Sequence, residues 1–230
     1  MSDIDHLSAS SMQLFLRCPE AWRRKYLCGE VEPPTAAMQA GTRAHEYLEQ
    51  VLRSGINLGV EWRRDEWDHA APQAEDQTQA AIRAAVVGSW GRPIEAETEF
   101  VIARPDYSIV GRIDAICESS DPWQSVIYDL KVVTKPRLPD RVATWEKYWV
   151  QLALYSAARQ IRNTSILAVS TSSYRVARHR FVMSEEYHGR VLNLADVIWW
   201  KVQAGEFIPD PEPAKCHQCW YRPSCKYTRQ

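Results

Sequence analysis

The segment Val-Ile-Tyr-Asp-Leu-Lys-Val-Val at 126–133 sets two charged side chains in a run that is otherwise apolar and β-branched. Such a run reads as a strand. Alternate residues of a strand share a face, so Asp129 and Lys131 project together, with Ile127 and Val133. Burying an acid and a base costs several kcal/mol per ion unless partners compensate. The pair is therefore a structural ion pair, an exposed strand end, or part of a site. A second carboxylate, Asp114, ends the preceding segment Gly-Arg-Ile-Asp at 111–114. An antiparallel return through the connection at 117–125 would bring Asp114 close to Asp129. Two carboxylates beside a lysine suit a hard divalent cation, which prefers oxygen ligands. His45 closes the turn Gly-Thr-Arg-Ala-His; alone it is an ordinary helix histidine, and only such company gives it a role.

The cysteines suggest a second chemistry. Cys216, Cys219 and Cys225 are spaced C-x2-C-x5-C near the end of the chain, and Cys18, Cys28 and Cys117 stand far upstream. Three close thiols are one short of a tetrahedral site. Cys117 follows a strand and reads as a packed thiol. Four thiolates suit zinc or an iron–sulfur cluster, and the spacing alone does not choose.

The elements that must carry these residues follow from periodicity. Residues 10–27 read as helix, with Ser10 and Gln13 as a capping box, broken at Cys18-Pro19 where proline opens a second helix. Residues 36–54 form a helix with Gly41, His45, Leu48 and Leu52 on one face. Residues 55–72 read as polar and irregular, and 73–89 as a further helix. Strands follow at 98–103, 107–116 and 125–133. A proline-containing loop spans 134–143, and helical periodicity returns over 144–161, where Gln151 and Tyr155 share a face at i and i+4. A strand over 166–176, a short strand at 179–183, a helix over 184–204 and an extended proline-rich lead at 207–215 complete the pattern. The order gives a mixed α/β domain wrapped by helical termini.

Bulk composition sets the bounds. The chain has 230 residues, 45% of them hydrophobic and 25% charged, with a net charge of −1. That is the range of a globular chain, and a nucleic-acid surface would have to be local. Local basic runs lie at Arg23–Lys25, at Lys135, Arg137 and Arg141, and at Arg175, Arg178 and Arg180. The loop carrying Lys135 and Arg137 leaves the Lys131 strand and is the favoured one. The acidic N-terminus is no signal peptide, and no apolar stretch approaches the ~18 residues of a membrane span. A cytoplasmic location is expected, where clustered cysteines point to metal and not disulfides.

Six segments occur in a familiar order: "SASSMQLFLRCPEAWRRKYL", "GTRAHEYLE", "GRIDAI", "YDLKVV", "QLALY" and the closing C-x2-C-x5-C. Together they resemble the RecB-like branch of the PD-(D/E)XK nucleases, in particular its iron–sulfur members: CRISPR-associated RecB-like exonucleases, phage stand-alone relatives and AddB-type nuclease domains. The resemblance spans residues 8 to 227. It implies a restriction-endonuclease-like α/β fold, a mixed sheet core flanked by helices, whose N- and C-terminal segments join at the cluster. It implies one nuclease domain over 1–230, with cluster-binding segments at 8–35 and 205–230 around a core at 36–204. His45, Asp114, Asp129 and the Leu130 carbonyl are then ligands of Mg2+ or Mn2+, Lys131 the motif lysine, and Gln151 and Tyr155 the Q-x3-Y pair. Glu97 or Glu99 fills a further acidic position. Asp129 stands where many relatives have glutamate. Cys18, Cys216, Cys219 and Cys225 hold a [4Fe-4S] cluster that clips the N-terminal helices to the tail, with Cys28 the fallback. The implied function is metal-dependent exonuclease action on single-stranded DNA or duplex ends, in repair and recombination, phage DNA processing or CRISPR adaptation. Partner proteins of a repair or CRISPR complex would go with it. The alternative is a non-catalytic nucleic-acid-binding or scaffolding subunit. Oligomeric state, polarity and pathway are not legible.

Overall fold

A computed structural model describes residues 4–119, 124–209 and 211–228. The tip of the connection between Asp114 and Asp129 (120–123) and Asp210 of the proline-rich lead fall outside the described residues. In chain order the elements are β1 (His6–Ser8), α1 (Ala9–Arg17), α2 (Pro19–Tyr26), α3 (Ala36–Asn57), α4 (Arg64–Ala70), α5 (Gln77–Ser89), β2 (Pro93–Ala103), β3 (Ser108–Glu118), β4 (Ser125–Val133), α6 (Arg141–Arg159), β5 (Asn163–Ser170), β6 (Val176–Val182), α7 (Glu185–Gln203) and α8 (Pro213–His217). The fold is mixed α/β, a mixed sheet flanked by helices, as a restriction-endonuclease-like core requires. The chain divides into two compact units, one of residues 1–33, 101–111 and 189–230, the other of 34–100 and 112–188.

In the second unit β3 and β4 are antiparallel, with Ala115 opposite Tyr128. β4 and β5 run parallel, and β5 and β6 are antiparallel. β2 also pairs with β3. Parallel neighbours need a crossover, and α6 supplies it between β4 and β5. The crossover lays α6 over the face of β4 that carries Asp129. On the other face, Tyr47, Leu48, Val51 and Leu52 of α3 and Ile82 and Val86 of α5 pack with Leu130, Leu167 and Val169 in one buried cluster. Gly55 of α3 lies against Trp67, whose indole N–H donates to the Val51 carbonyl at 2.9 Å.

In the first unit β1 pairs in parallel with the start of β3, Leu7 opposite Ile109. Phe15, Trp22 and Phe207 form an aromatic core, with Trp22 stacked on Phe207 at 5.9 Å. Tyr107 stacks on Trp199 at 4.7 Å.

Several boundaries differ from the sequence expectations. The capping box is Ser8 with Ser11, not Ser10 with Gln13. Because β1 ends at Ser8, the helix must start there, and Ser11 performs the task usually given to Glu or Gln. The polar segment 55–72 contains α4, held by the fully buried Trp67. The expected strand 166–176 is instead a hairpin: β5 stops at Ser170, and Tyr174 takes a left-handed conformation at φ 55° in the turn. α6 begins at Arg141, where Asp140 caps it by accepting from the Ala143 N–H at 2.8 Å, so Arg141 is the first residue of a helix and not part of a loop. Pro213 opens α8 inside the stretch read as extended.

Candidate metal centre

All the acid and base residues of this site belong to the second unit. Continuing the β3–β4 register by one step sets Asp114 opposite Asp129. Asp129 is fully buried and Asp114 nearly so. His45 reaches in from α3, its Nδ1 3.4 Å from Asp114 Oδ2 and 3.9 Å from Glu97 Oε1. One ligand atom each from His45, Glu97 and Asp114 fall within 4.8 Å of one another, spacing fit for a single ion. Asp129 stands outside that trio. Its Oδ2 is 2.7 Å from Lys131 Nζ, and its Oδ1 accepts from Gln151 Nε2 at 2.9 Å. Asp129 Oδ2 is thus ion-paired with the Lys131 ammonium. Glu97 Oε1 is buried without a hydrogen-bond donor. Buried carboxylate oxygens short of donors are what a hard cation would satisfy.

Of the two glutamates, Glu97 is the one beside His45 and Asp114. It lies in β2 with a left-handed φ of 49°. Its Oε2 is held 2.6 Å from Arg112 Nε. Glu99 is exposed and outside the cluster. Leu130 meets the site through its N–H, which donates to Asp114 Oδ2 at 2.7 Å. Gln151 and Tyr155 do share a face of α6: Gln151 Nε2 also donates to the Tyr155 hydroxyl at 2.5 Å. Phe100 packs edge-on against Tyr155 at 5.7 Å and fixes the ring. Tyr148, three residues before Gln151, was not legible in the sequence. Its ring lies 5.1 Å from the Lys131 ammonium, a cation–π contact that steadies the lysine. The only signal was its place on the same helical face.

The electrostatics follow from burial and crowding. Burial, and then the charge of Asp129, push the Asp114 carboxyl up to about 7, against the opposing pull of His45 and Lys131. Burial acts to lower the pKa of His45, but Glu97, Asp114 and Asp129 outweigh it and raise it. Lys131 follows the same pattern: burial opposes its charge, and Asp129 and Asp114 prevail, so it stays protonated. Burial, then Asp129, raise Tyr155, which rules out its phenol as a base near neutral pH.

Lys135 and Arg137 are exposed in the segment after β4, and Arg141 is exposed at the start of α6. The basic run of Arg178 and Arg180 lies in β6.

Five of the six thiols lie in the first unit. Cys18, Cys216, Cys219 and Cys225 line one cavity of about 90 Å³, while Cys28 is exposed outside it and Cys117 is buried in the other unit's core. Among the described residues no three of the sulfurs fall within 4.8 Å of one another. Tetrahedral zinc, with Zn–S of about 2.3 Å, would need sulfurs about 4 Å apart. Cys18 is the N-cap of α2, and burial raises its thiol pKa despite the amides of Ala21 and Glu20. Polar contacts also join the two chain ends. Arg24 donates to Ser224 Oγ at 2.7 Å and covers the Tyr221 ring, and the Tyr221 hydroxyl donates to the Glu30 carbonyl at 2.6 Å.

Known proteins share the fold. The family model of the PD-(D/E)XK nuclease superfamily matches residues 6–226. Among solved structures, SSO0001 superposes with a TM-score of 0.58 at 16% identity, over 100% of this chain and 90% of that one. A presumed exonuclease from Eubacterium rectale superposes with a TM-score of 0.57 at 16% identity, over 96% and 88%. At these identities the likeness is one of fold. No curated protein matches the chain in sequence. With the family model spanning almost all of its length, the chain belongs to the PD-(D/E)XK nuclease superfamily.

Proposed function

We propose that this nuclease is a metal-dependent DNA exonuclease of the RecB-like iron–sulfur branch. The observation that carries the catalytic part is the convergence of His45, Glu97 and Asp114 beside the buried Asp129–Lys131 pair. A Mg2+ or Mn2+ ion held there by His45, Asp114, Glu97 and Asp129 would supply Lewis acidity and an activated water. Lys131, kept charged by its carboxylate neighbours, orients that water and offsets charge on the phosphoryl oxygens. Gln151 holds the Asp129 carboxylate and the Tyr155 ring in one geometry, so the pair positions and does not transfer protons. The Leu130 amide fixes the rotamer of Asp114 and leaves its other oxygen for the cation. Lys135 and Arg137, exposed just after the Lys131 strand, together with Arg141 would neutralise phosphates of the bound strand.

The sharing of one cavity by Cys18, Cys216, Cys219 and Cys225 supports the cluster reading. Segments 8–35 and 205–230 are then its binding segments around a nuclease core at 36–204. A setting in repair and recombination, phage DNA processing or CRISPR adaptation, a cytoplasmic location and partner proteins in such complexes belong to the same reading.

The test is cleavage of end-labelled linear and of circular DNA with Mg2+ or Mn2+. Wild type should degrade the linear DNA only, and Asp114→Ala or Lys131→Ala should lose at least about a hundredfold in rate. Cleavage that survives both substitutions, or no metal-dependent cleavage at all, overturns the catalytic reading. Cutting of the circle overturns the exonuclease part alone.

A further inference from the structure

A second site stands apart from the metal centre. A cavity of about 650 Å³ is lined by Arg64, Arg92, Arg141, Arg178 and Arg180, with Glu118 among them. None of His45, Glu97, Asp114, Asp129 or Lys131 borders it. Its floor includes Tyr128, whose side chain leaves β4 on the face opposite Asp129. Arg178 and Arg180 alternate along β6 and so share one face, and Ser165 of β5 pairs with both Tyr128 and Arg180. β6 thus turns its basic residues toward the side of the sheet that Tyr128 occupies.

The charge balance asks for an anion. An arginine stays protonated at any pH a protein meets. Glu118 is taken up by Arg92 at 2.6 Å. Arg64 donates to the carbonyls of Val87 and Trp90, and Arg141 to the carbonyl of Arg180, so their charge is not cancelled. Arg178 lies over the Tyr128 ring and donates to its hydroxyl at 2.8 Å and to Ser89 Oγ at 3.1 Å. Its Nε–H is buried without an acceptor. The Arg180 guanidinium makes no hydrogen bond or ion pair with a described residue and is exposed at the rim. Four guanidinium charges, one of them without a partner among the described residues, therefore surround a space of several waters' volume, and no carboxylate among the described lining residues is left to pair. Arginine's planar fork matches the oxygens of a phosphate.

We propose that this cavity is a phosphate-binding site separate from the catalytic centre, taking the phosphates of a free nucleotide-like anion or of a nucleic-acid strand. Arg180 is its recognition residue, and Arg178, held against Tyr128, is its fixed base. The assignment does not depend on the nuclease reading.

The experiment is isothermal titration of the full-length protein, in EDTA at low salt, with pyrophosphate and separately with decathymidylate lacking terminal phosphates. Arg180→Gln removes no described hydrogen bond of the folded chain. Arg53→Gln, on α3, deletes the same charge outside the cavity and serves as control. At least one probe should bind saturably and lose about tenfold or more in affinity with Arg180→Gln, but not with Arg53→Gln. If pyrophosphate is the sensitive probe, the site takes a small anion. If only decathymidylate is, it takes strand backbone. Both support the site. Binding indifferent to Arg180, equal loss from Arg53→Gln, or no binding of either probe overturns it. Because no divalent cation is present, the result stands whether or not the chain cuts DNA.

Discussion

Asp114 shows how the site's chemistry depends on proton and cation together. Its folded-state pKa of about 7 lies above the ordinary carboxylate range. The metal-free native state therefore holds a proton that the unfolded chain has already released. Its stability falls as pH rises from the carboxylate range to about 7. The raised His45 has the same sign, its contribution being lost as pH rises through the folded value. A cation needs Asp114 ionised and His45 neutral, so its binding expels protons. Apparent Mg2+ affinity should therefore climb about tenfold or more per pH unit below about 7 and then flatten. Calorimetry in buffers of different ionisation enthalpy would read the released protons, and Asp114→Asn should remove that release at Asp114. A pH-independent affinity would show that another set of residues holds the ion.

At the scale of elements, α3 carries both His45 and the core that aims it. Its last turn passes so close to α4 and β2 that a Cβ on Gly55 would lie 2.6 Å from Pro93 Cγ and 2.8 Å from Trp67 Nε1. Alanine there gains about 1 kcal/mol of helix propensity. Overpacking costs about 1–3 kcal/mol, and displacing Trp67 also threatens its bond to Val51. The clash wins, so Gly55→Ala should lower stability by about 1–2 kcal/mol. Gly41→Ala, with nothing within 4 Å of its added methyl group, should raise it by up to about 1 kcal/mol. Urea denaturation of both variants checks the pair. Elements were legible where period and burial agree. Asp129 and Lys131 stand out because two charges interrupt an apolar alternation. The hairpin at 170–176 was hidden because Thr and Tyr also suit a strand; Ser170 Oγ, accepting from the Ser172 and Ser173 amides, and the left-handed Tyr174 make the turn. α4 was hidden because its single buried anchor, Trp67, sits in a polar run. Tyr148 and the arginine cavity exist only through tertiary packing, which joins residues far apart in the chain.

At the scale of the whole molecule, the chain's two ends lie in one compact unit. A cluster on Cys18 and the three tail cysteines would close a loop of nearly the full chain. In the chain-entropy model a crosslink of that length stabilises by about 5 kcal/mol. Protein purified without oxygen should be brown, and Cys18→Ala should bleach it and lower its thermal midpoint. Cys28→Ala, outside the cavity, should do neither. A colourless wild type carrying one zinc per chain would replace the cluster by a single ion. The hydrogen bonds of Arg24 and Tyr221 would keep the ends in contact in either case, so loss of colour need not mean loss of fold.

The left-handed backbone at Glu97 sets two demands against each other. Glycine or asparagine would relieve that conformation, by up to about 1–2 kcal/mol for glycine. Either would also delete the carboxylate facing His45. A population of variants screened for heat resistance alone would drift away from glutamate at this position, and one screened for turnover would hold it. Position 97 therefore separates robustness from chemistry within a single residue.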